Sequence, residues 1–162
     1  MPIRLGVDKG TTYCFIARIL ERYDNNGNLI SSEPEACLLS ENAKSPCVDS
    51  IVVRLPDGTL RYGPMARKEA GKRGTVTYKG FKMLLAENDK EKLKARGYTD
   101  EYTPKVILTQ FLEYLLQSFF ANNPSEEQRI EKLVVGVPEI TPVALLMFRP
   151  VGRVPEVTAK LV

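Results

Sequence analysis

The chain has 162 residues, 43% of them hydrophobic and 27% charged, which is the composition of one globular domain with a sizeable core. The formal net charge of +3 is too small to indicate a nucleic acid or an anionic membrane as a partner. Three cysteines and no histidine exclude the usual zinc sites and catalysis by Ser-His or Cys-His pairs, and they favour a reducing, cytoplasmic compartment.

The first two predicted strands meet at a tight turn near the amino end of the chain. The residues of this turn are Asp8, Lys9, Gly10, Thr11, Thr12 and Tyr13. Backbone N–H groups in such a turn face one concave side and bind an anion, and a glycine lets a ligand approach the backbone. The threonine hydroxyls are further donors, and the Asp8 carboxylate suits a hydrated cation beside a phosphate. The alternative is an ordinary hairpin turn between two buried strands.

The next elements are predicted to be strands in antiparallel hairpins. Their ranges are 13–20, 35–39, 50–55 and 59–62. The turn signals are Asn26-Gly27 in the first hairpin and Pro56-Asp57-Gly58 in the second. Cys14 is expected to be a small hydrophobe within its strand. Pro64 is well placed to begin a short helix that ends near residue 71.

The second half of the chain is predicted to be mainly helical. Residues 86–101 are densely charged and predict a short exposed helix and a loop. Thr103-Pro104 is a good helix start, and apolar residues recur at helical spacing from Leu108 to Phe120, which predicts a long helix with a broad buried face. A buried strand is expected over residues 132–138. The apolar run 143–148, a short strand or one helical turn, is too short to span a bilayer.

The first turn resembles the first phosphate loop of the actin-like ATPases, and most closely that of the heat-shock protein 70 chaperones. The shared pattern is hydrophobic-Gly-hydrophobic-Asp-x-Gly-Thr-Thr, often followed by Tyr or Asn. It is matched by Gly6, Asp8, Gly10, Thr11, Thr12 and Tyr13. Lys9 departs from the pattern, since that place is usually apolar in the family. The resemblance covers about residues 1–139 and rests mainly on element order beyond the turn, whereas residues 140–162 form an atypical tail.

The resemblance implies an incomplete α/β, ribonuclease-H-like lobe, a mixed sheet with flanking helices, that binds ATP or ADP with Mg²⁺. The whole turn from Asp8 to Tyr13 would contact the nucleotide, and Asp8 would hold the metal through water. Lys82, with Lys79 as second choice, aligns with a lysine that positions the attacking water; otherwise Lys82 is one basic residue on a solvated helix face. Pro138 aligns with a proline implicated in signalling to the substrate domain, or simply ends a strand.

The resemblance also predicts what this chain does alone. In the family, the second phosphate loop, the adenosine-binding residues and the peptide-binding domain would lie beyond its last residue. We therefore expect an N-terminal fragment of a chaperone-type ATPase that binds ATP weakly or not at all and does not hydrolyse it. Client polypeptides and co-chaperones would bind only through the missing regions, and an uncovered lobe face would favour self-association. The alternatives are the first lobe of a sugar kinase and a non-catalytic adaptor.

Overall fold

The computed structural model of the chain describes residues 3–40, 43–123, 130–136 and 145–146. Within them, the elements in chain order are β1 (Ile3–Lys9), β2 (Tyr13–Tyr23), β3 (Leu29–Cys37), β4 (Val48–Asp49), β5 (Ile51–Arg54), β6 (Leu60–Tyr62), α1 (Gly63–Glu69), β7 (Val76–Lys79), a 3-10 helix (Phe81–Leu84), α2 (Lys90–Ala95), α3 (Pro104–Asn122), β8 (Ile130–Gly136) and β9 (Leu145–Leu146). They belong to two compact units. The first contains the described residues up to Lys9, Phe15–Pro46 and those from Ser118 onward, and the second contains Gly10–Cys14 and Cys47–Gln117.

The first unit is built on a mixed sheet with the strand order β3-β2-β1-β8-β9. In β1, the buried residues Leu5 and Val7 alternate with less buried neighbours, as expected of a strand with one covered face. β1 and β8 run parallel, with Asp8 beside Gly136, whereas β2 pairs with β3 and β8 pairs with β9 in antiparallel fashion. The carboxyl ends of β1 and β8 therefore lie at the same end of the sheet.

The β2–β3 hairpin is longer than the sequence predicts. The turn forms as expected, with Gly27 at a φ of 82° and the Asp24 carboxylate accepting hydrogen bonds from the amides of Asn26 and Asn28, each at 2.8 Å. The predicted third strand over residues 35–39 is wrong at both ends, since β3 spans Leu29–Cys37. Pairing with β2 holds its polar first half extended, although these residues carry little strand signal of their own.

The second unit contains a three-stranded antiparallel sheet with the order β6-β5-β7. The predicted hairpin of β5 and β6 is confirmed, and β5 is buried at Ile51, Val52 and Val53. Helix α1 follows at once, with a proline in its first turn as predicted. It packs Ala66 against Ile51 and Val53, so this small core joins the helix to the sheet.

The predicted helices α2 and α3 are confirmed. The short α2 has no buried residue and is followed by Gly97, whose φ is 81°. The Thr103 hydroxyl accepts a hydrogen bond from the Val106 amide at 3.2 Å, as the capping role requires. The buried face of α3 consists of residues four apart along the helix, namely Ile107, Phe111, Leu115 and Phe119.

The described residues form a mixed α/β protein, which confirms the predicted class. No helix within these ranges has both the length and the apolar character that crossing a membrane requires. β8 confirms the strand predicted over residues 132–138 as far as Gly136, and β9 confirms a strand within the apolar run 143–148. Pro138 and the remainder of the predicted tail lie outside the described residues.

Candidate functional site

The turn between β1 and β2 consists of Gly10, Thr11 and Thr12. Both threonines are exposed and Gly10 is half-buried. Tyr13 and Cys14 then begin β2 and pair antiparallel with Asp49 and Val48 of β4, so the turn leads directly into a paired strand. Cys14 is fully buried, as predicted for a small hydrophobe.

Ser50, 40 residues further along the chain, holds two carbonyl groups of this turn. Its amide donates a hydrogen bond to the Thr12 carbonyl at 2.8 Å, and its hydroxyl donates one to the Gly10 carbonyl at 3.1 Å. Ser50 is only 3% exposed. The turn is therefore fastened by its carbonyl oxygens to a buried side chain and backbone group.

This attachment fixes the direction of one backbone amide. In a trans peptide the carbonyl of one residue and the N–H of the next point in opposite directions. Because the Gly10 carbonyl faces Ser50, the Thr11 N–H faces away from it. Among the residues that the structure describes, the amides of Thr11 and Thr12 donate no hydrogen bond. Two exposed residues of the turn thus carry donors with no acceptor in the described part of the chain, and donors of this kind are what an anion requires.

Gly10 is required by the turn itself. A Cβ atom at this position would lie 2.5 Å from the Tyr13 carbonyl oxygen, which is much closer than any side chain tolerates. At Gly6, within β1, the nearest atom to a Cβ would be the Ala17 carbonyl oxygen at an ordinary 4.0 Å. The close fold of the backbone therefore explains Gly10 independently of any ligand.

An ion pair lies beside the start of β2. The Arg67 guanidinium of α1 contacts the Asp49 carboxylate at 2.8 Å. The hydrogen bond to Asp49, followed by one to the Tyr13 hydroxyl, raises the pKa of Arg67 above its ordinary value. Asp49, which is paired with Tyr13 across the two strands, and Arg67 therefore anchor the first residue after the turn.

Asp8 and Lys9 are the last residues of β1 in the first unit. The Asp8 side chain is half-buried, and within the described residues it has no hydrogen bond or ion pair. Lys9 is 1% exposed. Lys9 is thus a charged residue at a buried position of β1.

A divalent cation would find few protein ligands here. In the described part of the chain, no cluster of three or more Cys, Asp or Glu side chains is arranged to hold a metal ion. Asp8 alone is placed at the carboxyl end of β1. This suits Mg²⁺, which keeps several waters and takes one or two carboxylates together with substrate phosphates.

Lys82 lies in the 3-10 helix that follows β7 and is half-buried. Its neighbours Phe81 and Leu84 are buried, and the Phe81 ring contacts that of Phe111 at 5.6 Å between centroids. Lys79, the second choice, ends β7 and pairs with Ile51, the residue after Ser50. The 3-10 helix therefore begins where β7 reaches the end of the sheet next to Ser50.

The first unit has a separate cleft of about 370 Å³. Its lining residues are Arg18, Glu35, Ala36, Cys37, Leu38, Ser40, Asn122 and Asn123. None of them is a predicted site residue. Arg18 and Glu35 are already paired at 2.6 Å, and the Asn122 amide nitrogen donates to the Leu39 carbonyl at 2.8 Å. Arg18, Glu35 and Asn122 in this cleft therefore already have hydrogen-bond or ion-pair partners within the protein.

Sequence reasoning found the turn and missed the residues that hold it. Ser50, Asp49 and Arg67 lie at least 36 positions from the nearest residue of the turn that each contacts, and short polar residues before a strand carry no pattern of their own. Pairing between β2 and β4 brings Asp49 and Ser50 to the turn, and Arg67 reaches it from helix α1 through Asp49. A local motif search therefore could not have identified them.

A scan against protein-family models finds no family that matches this chain, and a search of curated proteins finds no match either. The resemblance of the first turn accordingly depends on the residues of the turn and on the order of the predicted elements.

Proposed function

We propose that the turn from Gly10 to Tyr13 binds the phosphate groups of a nucleotide and that the chain is the first lobe of a chaperone-type, actin-like ATPase. The observation that carries this proposal is that the amides of Thr11 and Thr12 donate no hydrogen bond to any described residue, and that the Thr11 N–H faces away from the buried Ser50. Their hydroxyls are exposed with them. Asp8 is the residue assigned to a hydrated Mg²⁺, which would neutralise phosphate charge when bound.

Within the first unit, the sheet supports the assignment of Asp8. In open α/β sheets, ligands bind outside the carboxyl ends of parallel strands. Asp8 lies at the carboxyl end of β1, beside Gly136 at the carboxyl end of the parallel strand β8. A mixed sheet with helices is also the architecture of the ribonuclease-H-like lobe that the resemblance implies.

A second turn in the same chain provides an internal comparison. Asp57, Gly58 and Thr59 repeat the acid, glycine and threonine of the first turn. Here, however, the Thr59 amide donates to the Asp57 carboxylate at 2.9 Å and the Gly58 amide donates to the Leu55 carbonyl at 3.0 Å. The two turns share residue types and differ in whether their amides are available. We therefore expect only the first turn to bind an anion.

The test is a titration of the ¹⁵N-labelled full chain with Mg·ADP and Mg·ATP, followed by NMR. We expect the Thr11 and Thr12 amide resonances to shift, with a dissociation constant on the order of 1 mM because one turn supplies few contacts. The Thr59 amide should not move. Asp8→Asn should weaken Mg·ADP binding more than it weakens binding of ADP without metal.

Two results would overturn the proposal. One is that the amide resonances of Thr11 and Thr12 do not shift at the highest nucleotide concentration used. The other is that the amide of Thr59 shifts as much as theirs, since that pattern would indicate nonspecific association with exposed turns.

A further inference from the structure

We infer that Ser50 is the positioning residue of the phosphate-binding turn, an inference that rests on the proposed function. Its two donors engage the first and last carbonyl groups of a three-residue segment, those of Gly10 and Thr12. Held at both ends, the segment keeps its peptide planes in one orientation. That orientation turns the Thr11 N–H away from the protein interior around Ser50.

The two bonds have different consequences. The Ser50 amide bond to Thr12 lies directly beside the pairing between β2 and β4 and is available to any residue except proline at position 50. The hydroxyl bond to Gly10 at 3.1 Å requires a hydroxyl group at this position. Specificity for serine therefore comes from the Gly10 carbonyl, whose peptide also contains the Thr11 N–H.

Burial makes the hydroxyl bond effective. At 3% exposure, the Ser50 side chain is shielded from water that would compete for the Gly10 carbonyl. Without the hydroxyl, this peptide loses one of the contacts that hold it, and the direction of its N–H is less tightly fixed. An anion that needs the N–H then binds only to the fraction of molecules in which the peptide has the original orientation.

The experiment compares Ser50→Ala with wild type in two measurements. In the free protein, the heteronuclear NOE of the Thr11 and Thr12 amides should fall in the variant, whereas values in α3 stay unchanged. In the Mg·ADP titration, the variant should bind about three- to tenfold more weakly, the range expected for one buried hydrogen bond. Ser50→Thr keeps the hydroxyl, so its Thr11 and Thr12 NOE values and its Mg·ADP affinity should be close to those of wild type.

Thr103→Ala is the matched control for lost stability. It removes the cap of α3 and should lower the unfolding midpoint by a comparable amount. It should leave the NOE values of Thr11 and Thr12 and the Mg·ADP affinity at their wild-type levels. A loss of affinity in Ser50→Ala alone therefore reports on the turn and not on general stability.

The two proposals fail in different ways. If wild-type Thr11 and Thr12 do not respond to Mg·ADP, the proposed function is wrong, and the NOE comparison still decides whether Ser50 orders the turn. If wild type binds and Ser50→Ala binds equally well, or if its turn stays as rigid as in wild type, the role of Ser50 is wrong and the proposed function stands.

Discussion

Steric crowding at Gly10 leads to a prediction about a single methyl group. Gly10→Ala places a Cβ atom 2.5 Å from the Tyr13 carbonyl oxygen, so the backbone of the turn must shift. We expect the free energy of unfolding to fall by about 1–3 kcal/mol, as in other overpacked sites. Gly6→Ala is the control, because its Cβ meets nothing closer than 4.0 Å. Urea denaturation of both variants measures the difference, and equal losses would contradict the prediction.

Two neighbouring tyrosines differ in how their hydroxyl groups are satisfied. The rings of Tyr78 and Tyr98 lie 4.9 Å apart, and both residues are buried. The Tyr78 hydroxyl donates to the Gly97 carbonyl at 3.2 Å, whereas the Tyr98 hydroxyl has no hydrogen-bond partner among the described residues. We expect Tyr78→Phe to lower the free energy of unfolding by about 1 kcal/mol and Tyr98→Phe to leave it unchanged or raise it slightly. If urea denaturation shows that Tyr98→Phe is destabilised and Tyr78→Phe is not, this assignment is wrong.

Tyr98 also makes the stability of the fold depend on pH. Burial raises the pKa of Tyr98 to about 12 from the ordinary value of 10.0. Above pH 10, the unfolded chain loses the proton while the folded chain keeps it, so the unfolded state binds fewer protons and stability falls as pH rises. The contribution of the protonated Tyr98 to stability is complete below pH 10 and is lost as the pH approaches about 12. Between pH 10 and pH 12, the free energy of unfolding measured by urea denaturation should fall less steeply with pH in Tyr98→Phe than in wild type.

At the scale of elements, the edge strand β3 shows how the first sheet is protected from pairing with other chains. β3 lies at one end of the strand order and is mostly exposed. Pro34 in its middle has no N–H to offer a neighbouring strand, and Glu33 together with Glu35, which is paired with Arg18, places charged side chains along this edge. Both features disfavour pairing of another strand with this edge.

Removing the proline should therefore promote association. Pro34→Val restores an N–H and a strand-forming side chain, and we expect larger particles at high protein concentration by sedimentation velocity. Pro56→Ser, in the turn between β5 and β6, is the control and should behave as wild type. A Pro34→Val variant with the sedimentation profile of wild type would show that the charges alone guard this edge.

The elements of this chain differ in how far their sequence predicts them. Helix α3 was predictable because Thr103 caps it and its apolar residues recur at helical spacing. The hairpin of β5 and β6 was predictable from its β-branched residues and its Pro-Asp-Gly turn. β3 was not, because its first half is polar and becomes a strand only through pairing with β2. Local patterns thus give the elements that are stable in their own right, and tertiary pairing gives the rest.

At the scale of the whole molecule, the resemblance assigns one turn to phosphate binding and one lysine, the half-buried Lys82, to the attacking water. Phosphoryl transfer depends on several groups that position and stabilise the transferred phosphate together. We expect the isolated chain to release no phosphate from Mg·ATP above the buffer control in a colorimetric assay. Sustained release that is lost in Lys82→Ala would contradict this prediction and assign the chemistry to this chain.

The site was predictable from the sequence only in part, and the division has a physical reason. The turn carries its residues consecutively, so Asp8, Gly10 and the two threonines stand out as a motif. Lys9 was noted as a departure, but its burial depends on the surrounding fold and not on its neighbours in sequence. The same holds for Ser50, whose contacts exist only when β4 has paired with β2.

The contact between Ser50 and Gly10 closes a segment of 40 residues. During synthesis, the hairpin of β1 and β2 leaves the ribosome before Ser50 does, so the turn lacks the two Ser50 hydrogen bonds at that stage. Closing a segment of this length carries an entropic cost that only strand pairing can repay. Nucleotide recognition would thus emerge late in biogenesis, and a synthetic peptide that ends before residue 50 should carry the motif without its affinity.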